Sequence, residues 1–183
     1  CCMRGDTNEA LNLETVEVAR QYLGDVVCAV DIAGAESLFP TEHFKKVFDK
    51  VQAYHLPMTI HAGEAAGPES MRTALSFGTK RIGHGVAAIH DAELMQELID
   101  QNVTLEVCVT SNYHTKVVPS IAEHPIRKLF DAGVRVTVNS DNMTASGTNL
   151  GKEIEILKNT FGFTEDELAK MMEYAWEARF LKD

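Results

Sequence analysis

Met58-Thr59-Ile60-His61-Ala62-Gly63-Glu64 begins as a short run of strand character and ends on an imidazole and a carboxylate, with a glycine between them. The chain then turns through Gly67-Pro68 into a stretch of helical length that stops at Gly78. Glycine suits the cap of such a helix and proline its first position. A strand that carries its polar residues at its own C-terminal end and feeds a helix is part of a βαβ unit. Whether the unit recurs decides the fold.

It recurs in both directions. Upstream, Leu11, Leu13, Val16, Val18, Ala19 and Tyr22 fall near helical spacing, which predicts a helix over 8–22 stopped by Gly24. Residues 26–32 read as a strand apolar on both faces, as parallel strands are. A helix opening at Pro40 then carries Phe44, Val47, Phe48, Val51 and Tyr54 down one face. Downstream come the strand Arg81-Ile82-Gly83, a helix capped by Asp91, and a strand over 103–107. A helix over 120–132 follows, with Pro125 marking a start or a kink, and then a strand over 134–139. Two helices close the chain, the second opened by the capping box Thr164-Glu165-Asp166-Glu167. The alternation predicts an α/β fold with a parallel sheet. No linker rich in Gly, Pro or Ser interrupts it, so one domain is expected.

An open doubly wound sheet usually gathers its chemistry at one switch point, often on a Gly-rich phosphate loop, and none is present. Here polar residues close every strand: Asp31-Ile32-Ala33-Gly34, His61-Ala62-Gly63-Glu64, Gly83-His84-Gly85, Thr110-Ser111-Asn112 and Ser140-Asp141-Asn142. That recurrence is the mark of a β/α barrel, whose site is assembled at the C-terminal rim from several strands.

Composition narrows the class. The 183 residues are 45% hydrophobic and 24% charged, a globular profile, and the net charge of −10 disfavours nucleic acid and anionic membranes as partners. No apolar run approaches the roughly 20 residues of a membrane span, and no basic-then-apolar leader opens the chain. The cysteines at 1, 2, 28 and 108 lack metal-finger spacing and are read as reduced and mostly buried, which suits a cytoplasmic protein.

Among the strand-end residues, His61 and Asp141 offer the nitrogen and oxygen donors that zinc accepts. Glu64 stands beside them as an acid/base that is not itself a ligand. His84 lies between two glycines that strip bulk from around its ring. His43, His55, His90, His114 and His124 are read as surface or packing residues.

These motifs, with Arg81-Ile82-Gly83-His84-Gly85, Glu106-Val107-Cys108-Val109-Thr110-Ser111-Asn112 and Val138-Asn139-Ser140-Asp141-Asn142, resemble the adenosine deaminase family in order and spacing along the whole chain. The resemblance implies an eight-stranded barrel with one zinc that converts adenosine or deoxyadenosine to inosine or deoxyinosine and ammonia. It makes His61 and Asp141 zinc ligands, Glu64 the proton shuttle to the purine ring, and His84 the group that orients the attacking hydroxide. It also makes the Gly34 N–H a partner for a ring nitrogen. Asn142 stands where the family often has Asp; its amide can donate to the five-membered ring at any pH, so purine binding is expected to persist with one titrating group fewer. Val109 replaces a frequent Pro and is expected to touch only strand-end geometry.

The family takes two further zinc ligands from a His-x-His pair on its first strand, and no such pair occurs here. Cys1-Cys2-Met3-Arg4 resembles the end of the third strand, so residues 1–183 are expected to be a single partial domain, an incomplete (β/α)8 TIM-type barrel of roughly strands 4 to 8 with their helices. The implied partners are a small purine nucleoside and the missing N-terminal segment. Two alternatives stay open: the same barrel acting on adenine, a nucleotide or a modified adenosine, and a non-catalytic nucleoside-binding or structural fragment. Two ligands fall short of the three that a catalytic zinc site normally has. The isolated 183-residue chain, assayed with zinc and adenosine, is therefore expected to be inactive and poorly folded; turnover at the rate of a full-length relative would overturn this.

Overall fold

The computed structural model describes residues 1–181. Six parallel strands run through it: β1 (Cys2–Met3), β2 (Ile32–Ala33), β3 (Ile60–Ala62), β4 (Arg81–His84), β5 (Thr104–Val107) and β6 (Arg135–Val138). β1 pairs with β2, and β3 to β6 form a second ladder. The gap between the ladders is spanned at Val30, whose N–H donates to the Pro57 carbonyl (2.9 Å) and whose carbonyl accepts from Thr59 N–H (3.0 Å). Each strand lies beside its successor in sequence, with no reversal. A doubly wound sheet reverses its strand order at the switch point, whereas a barrel wall does not. The fold is α/β and forms part of a β/α barrel.

Nine helices, with short 3₁₀ turns among them, complete the described residues: α1 (Glu9–Gln21), α2 (Lys45–Ala53), α3 (Pro68–Ser76), α4 (Ala92–Asp100), α5 (Val109–His114), α6 (Ile126–Asp131), α7 (Met143–Ser146), α8 (Leu150–Phe161) and α9 (Glu165–Glu177). None is long and apolar enough to cross a membrane. Ile60, Ile82, Leu105 and Val136 on the strands, with Leu94, Leu98, Leu129 and Leu157 on the helices, are completely buried. Phe48 of α2 stacks on Phe77 at 5.1 Å between ring centroids. Asp91 caps α4 by accepting from Leu94 N–H (2.9 Å), and Thr164 and Glu167 form the expected capping box.

Three expectations need correction. The strand over 26–32 shrinks to Ile32–Ala33 plus the bridge at Val30, because Asp25 and Val27 both donate to the Tyr22 carbonyl and close a turn that leaves Val26 78% exposed. The helix over 120–132 is a 3₁₀ turn (Ile121–Glu123) and then α6, since Pro125 has no N–H to continue the ladder and starts the second piece instead. The cysteines are all free, but only Cys2 and Cys108 are buried; Cys1 is exposed just ahead of β1, and Cys28 in the unpaired stretch between the bridges at Val27 and Val30.

Gly63, just past β3, has φ +72°, and a Cβ there would meet Met71 Sδ at 2.5 Å. Gly24 shares the left-handed backbone (φ +85°) with open space around it. Gly63→Ala is therefore expected to destabilise the full-length protein by about 2 kcal/mol and Gly24→Ala by about 1 kcal/mol, read from denaturant midpoints.

Candidate active site

The C-terminal ends of the strands form one rim. At the end of β3, His61 Nδ1 lies 3.0 Å from Asp31 Oδ1, which leaves its Nε2 free to bind a ligand. Burial opposes a charge on His61, but the hydrogen bond to Asp31 and the fields of Asp31, Glu106 and Asp141 outweigh it and raise the pKa. Room for this ring comes from β4, because a Cβ on Gly83 would sit 3.0 Å from His61 Cγ. Gly85 likewise makes room for Leu105. The two glycines thus clear space for neighbouring side chains rather than for His84 alone. Buried Arg4 fastens the His61 carbonyl (2.6 Å), together with the Phe39 carbonyl (2.7 Å) and Thr41 Oγ1 (2.9 Å).

Glu64 stands in the loop after β3. Its Oε2 faces His84 Nε2 at 3.5 Å, while Oε1 accepts from Thr115 Oγ1 (3.1 Å) and Asn112 Nδ2 (3.4 Å). His84 is 2% exposed, has φ +62°, and lies 5.1 Å from the His61 ring. Burial, opposed by Glu64, lowers its pKa. Its Nδ1 meets Asn112 Nδ2 at 3.1 Å, and Asn112 Oδ1 meets His124 Nε2 at 3.2 Å.

Asp141, three residues past β6, also has a left-handed backbone (φ +54°), and its Oδ2 accepts from Ser111 Oγ at 2.7 Å. Asn142 caps α7, its Oδ1 accepting from Ala145 N–H (2.9 Å), an arrangement that uses the oxygen and not the Nδ2 donor. Gly34 follows β2 with φ +120°, packed against Arg4. Val109 is the first residue of α5, directly at the end of the β5 segment.

His61, Glu64 and His84 therefore come together, with Asp141 close enough for its charge to act on both imidazoles. Among the described residues no three His, Cys, Asp or Glu side chains gather to hold an ion. His61 Nε2 and the free oxygen of Asp141 are nonetheless donors of the right chemistry for zinc, each steadied by a hydrogen bond on its other atom, and they amount to part of a ligand set. One cleft, of 680 Å³, borders the rim at Glu64, Val86 and Val117, and another, of 480 Å³, lies at the opposite ends of the strands around Arg81 and Arg135.

The sequence alone offers no role for Arg4, Glu36, Ser111, Asn112 or Thr115, and His124 falls there among surface or packing residues. Ser111 and Asn112 carried a signal, since they close a strand like the other site residues. His124 carried none, because only folding brings it, 3% exposed, against Asn112.

A parallel wall wound in sequence order, with imidazoles and carboxylates on its C-terminal rim, is the build of β/α-barrel enzymes. More narrowly, the chain belongs to the adenosine deaminase family, whose model matches residues 1–183. It is 44% identical over 186 residues to an adenosine deaminase of Haemophilus ducreyi, covering 100% of this chain and 54% of that protein. It is 41% identical over 172 residues to an adenine deaminase of Sinorhizobium medicae, covering 93% and 53%. The crystal structure of adenine deaminase from Arthrobacter aurescens superposes with a TM-score of 0.90 at 27% identity, covering 99% of this chain and 55% of that one. The chain spans about half the length of the curated relatives it matches.

Burial, reinforced by the charge of His84, holds the His124 pKa down to about 4. Between that value and the ordinary 6.5 the unfolded chain binds more protons than the folded one, so stability falls as pH drops through this window. The full effect is about 3 kcal/mol. His84 acts in the same direction; His61, with its raised pKa, contributes below 6.5 and loses that contribution as pH rises. Urea midpoints of the full-length protein should drop between pH 6.5 and pH 4.5, and His124→Leu should flatten that slope.

Proposed function

We propose that residues 1–183 are one partial domain of a zinc-dependent hydrolytic deaminase that converts adenosine or deoxyadenosine and water to inosine or deoxyinosine and ammonia. In this reading an N-terminal segment of the same barrel supplies the remaining zinc ligands and the sugar contacts. The observation that carries the proposal is the facing pair Glu64 and His84, 3.5 Å apart, next to His61 and Asp141. An acid/base carboxylate, a buried neutral imidazole and two metal donors are the parts that replacing an aromatic amine by water requires.

His61 and Asp141 would hold the metal, which when bound lowers the pKa of water to about 7 and so supplies a nucleophile at neutral pH. His84 aligns the incoming oxygen through Nε2. The Oε1 atom of Glu64 is occupied by Thr115 and Asn112, so Oε2 is the atom that passes a proton to the ring nitrogen beside the carbon bearing the amine. That proton lets negative charge leave the ring as the oxygen adds, and the amine departs as ammonia. The Gly34 N–H and Asn142 Nδ2 would bind ring nitrogens and set the purine's orientation.

The similarity to an adenine deaminase at 41% identity favours one second reading, the same chemistry on the free base. Turnover of adenosine, adenine and AMP by the full-length protein, followed as ammonia release, separates these. Glu64→Gln is expected to lower the rate at least about a hundredfold with one zinc retained per barrel. A loss under tenfold would favour a binding or structural role instead.

A further inference from the structure

Asn112 and His124 complete a hydrogen-bonded line behind His84, and the line has only one self-consistent direction. It starts at a group that can only donate: the backbone N–H of Ile126 points at His124 Nδ1 at 3.1 Å. That nitrogen must therefore carry a lone pair, and the proton of a neutral His124 sits on Nε2. Nε2 in turn lies 3.2 Å from Asn112 Oδ1 and donates to it. With its oxygen so engaged, Asn112 turns its NH₂ group the other way, toward His84 Nδ1 (3.1 Å) and Glu64 Oε1 (3.4 Å). A carboxylate oxygen accepts only from a donor, so Glu64 confirms that orientation independently. His84 Nδ1 thus accepts, and the proton of its neutral ring is left on Nε2, the atom facing Glu64 Oε2. Asn112 is completely buried and His124 is 3% exposed, so water does not compete for these positions.

We propose that His124 is a positioning residue which, through Asn112, locks His84 in the Nε2–H tautomer, making it a hydrogen-bond donor to the reaction centre rather than a base. The inference rests on the deaminase reading for its consequence but not for its geometry. In the opposite tautomer Nε2 would present a lone pair toward the carboxylate of Glu64, repelling it and offering nothing to an incoming oxygen. The depressed pKa of His124 keeps its ring neutral at neutral pH, so the line keeps its direction there.

The test reads the tautomer directly. Full-length, zinc-loaded protein labelled with ¹⁵N-histidine is examined by two-bond ¹H–¹⁵N correlation NMR. The His84 ring is expected to show a protonated Nε2 and an unprotonated Nδ1. His124→Leu removes the donor to Asn112 and should yield a mixed or reversed tautomer, with kcat about ten- to a hundredfold lower and KM nearly unchanged. His124→Gln, whose amide N–H can still reach Asn112, should restore the tautomer and most of kcat. Should His124→Leu fail to fold, Asn112→Asp carries the same test, because a carboxylate facing Nδ1 draws the proton there. A protonated Nδ1 in the unmodified protein, or a tautomer unmoved by these substitutions, would overturn the proposal. If no purine is turned over, the deaminase reading fails while the NMR result still decides the hydrogen-bonded line.

Discussion

The Glu36 carboxylate organises the rim. It is 4% exposed, yet it accepts from the backbone N–H groups of Gly63 (2.7 Å), Glu64 (3.0 Å), Ala65 (2.8 Å) and Ala66 (3.1 Å) and from Ser70 Oγ (2.5 Å). A carboxylate taken out of water loses several kcal/mol of hydration. Here five donors replace that hydration, helped by the positive N-terminal end of α3 just beyond. The loop after β3 is thereby wound around a charge that belongs to the segment after β2. Glu64 takes its aim from that winding, since its own backbone N–H is one of the four.

The same network reaches the start of the chain. Ser70 Oγ also bonds Thr41 Oγ1 (2.7 Å), and Thr41 accepts from Arg4, which holds the carbonyl of His61. Arg4 and Glu36 thus grip the two ends of the His61-to-Glu64 segment from opposite sides, one by its first carbonyl and the other by its last N–H groups. β1 is two residues long, and its contribution to the site lies in delivering Arg4 rather than in sheet area. The two charges do not touch, but they are joined through the Thr41–Ser70 bond and the field of Glu36 acts on Arg4, so the site's geometry is coupled across three consecutive strands.

The sequence was legible where a local pattern carried the information. Strand-end polar residues repeated in five units, and the wall they implied is present in the predicted order. Caps at Asp91 and Thr164 depend only on neighbouring residues, and both formed. What was not legible depends on long-range closure. The apolar run over 26–32 looks like a buried strand, but a turn at Tyr22 decides its path. The neighbour of Gly83 and Gly85 in sequence is His84, whereas the side chains they make room for, His61 and Leu105, lie on adjacent strands. His124 is one of seven histidines with no periodic signature; its role depends on a backbone N–H two residues on and an amide twelve residues back.

Backbone strain gives a separate view of where the fold has been bent toward chemistry. Among the described residues, five non-glycine residues have left-handed φ: His55, His84, Asn102, Lys116 and Asp141. His55, Asn102 and Lys116 each lie two residues past the end of a helix, where a left-handed residue is a common way to satisfy the last carbonyls. His84, the last residue of β4, and Asp141, three residues past β6, follow no helix. Left-handed backbone at such positions costs roughly 1–3 kcal/mol and persists only when the surroundings over-determine it. Here they do: Asn112 holds the His84 ring from behind, and Ser111 holds the Asp141 carboxylate. Both anchors come from one turn of α5, so this helix tethers the ends of β4 and β6 to a common point. A strained residue held by a neighbour's side chain is aimed more sharply than a relaxed one, because the backbone cannot drift without breaking the contact that holds it. The cost in stability and the precision of the site are therefore two consequences of the same geometry.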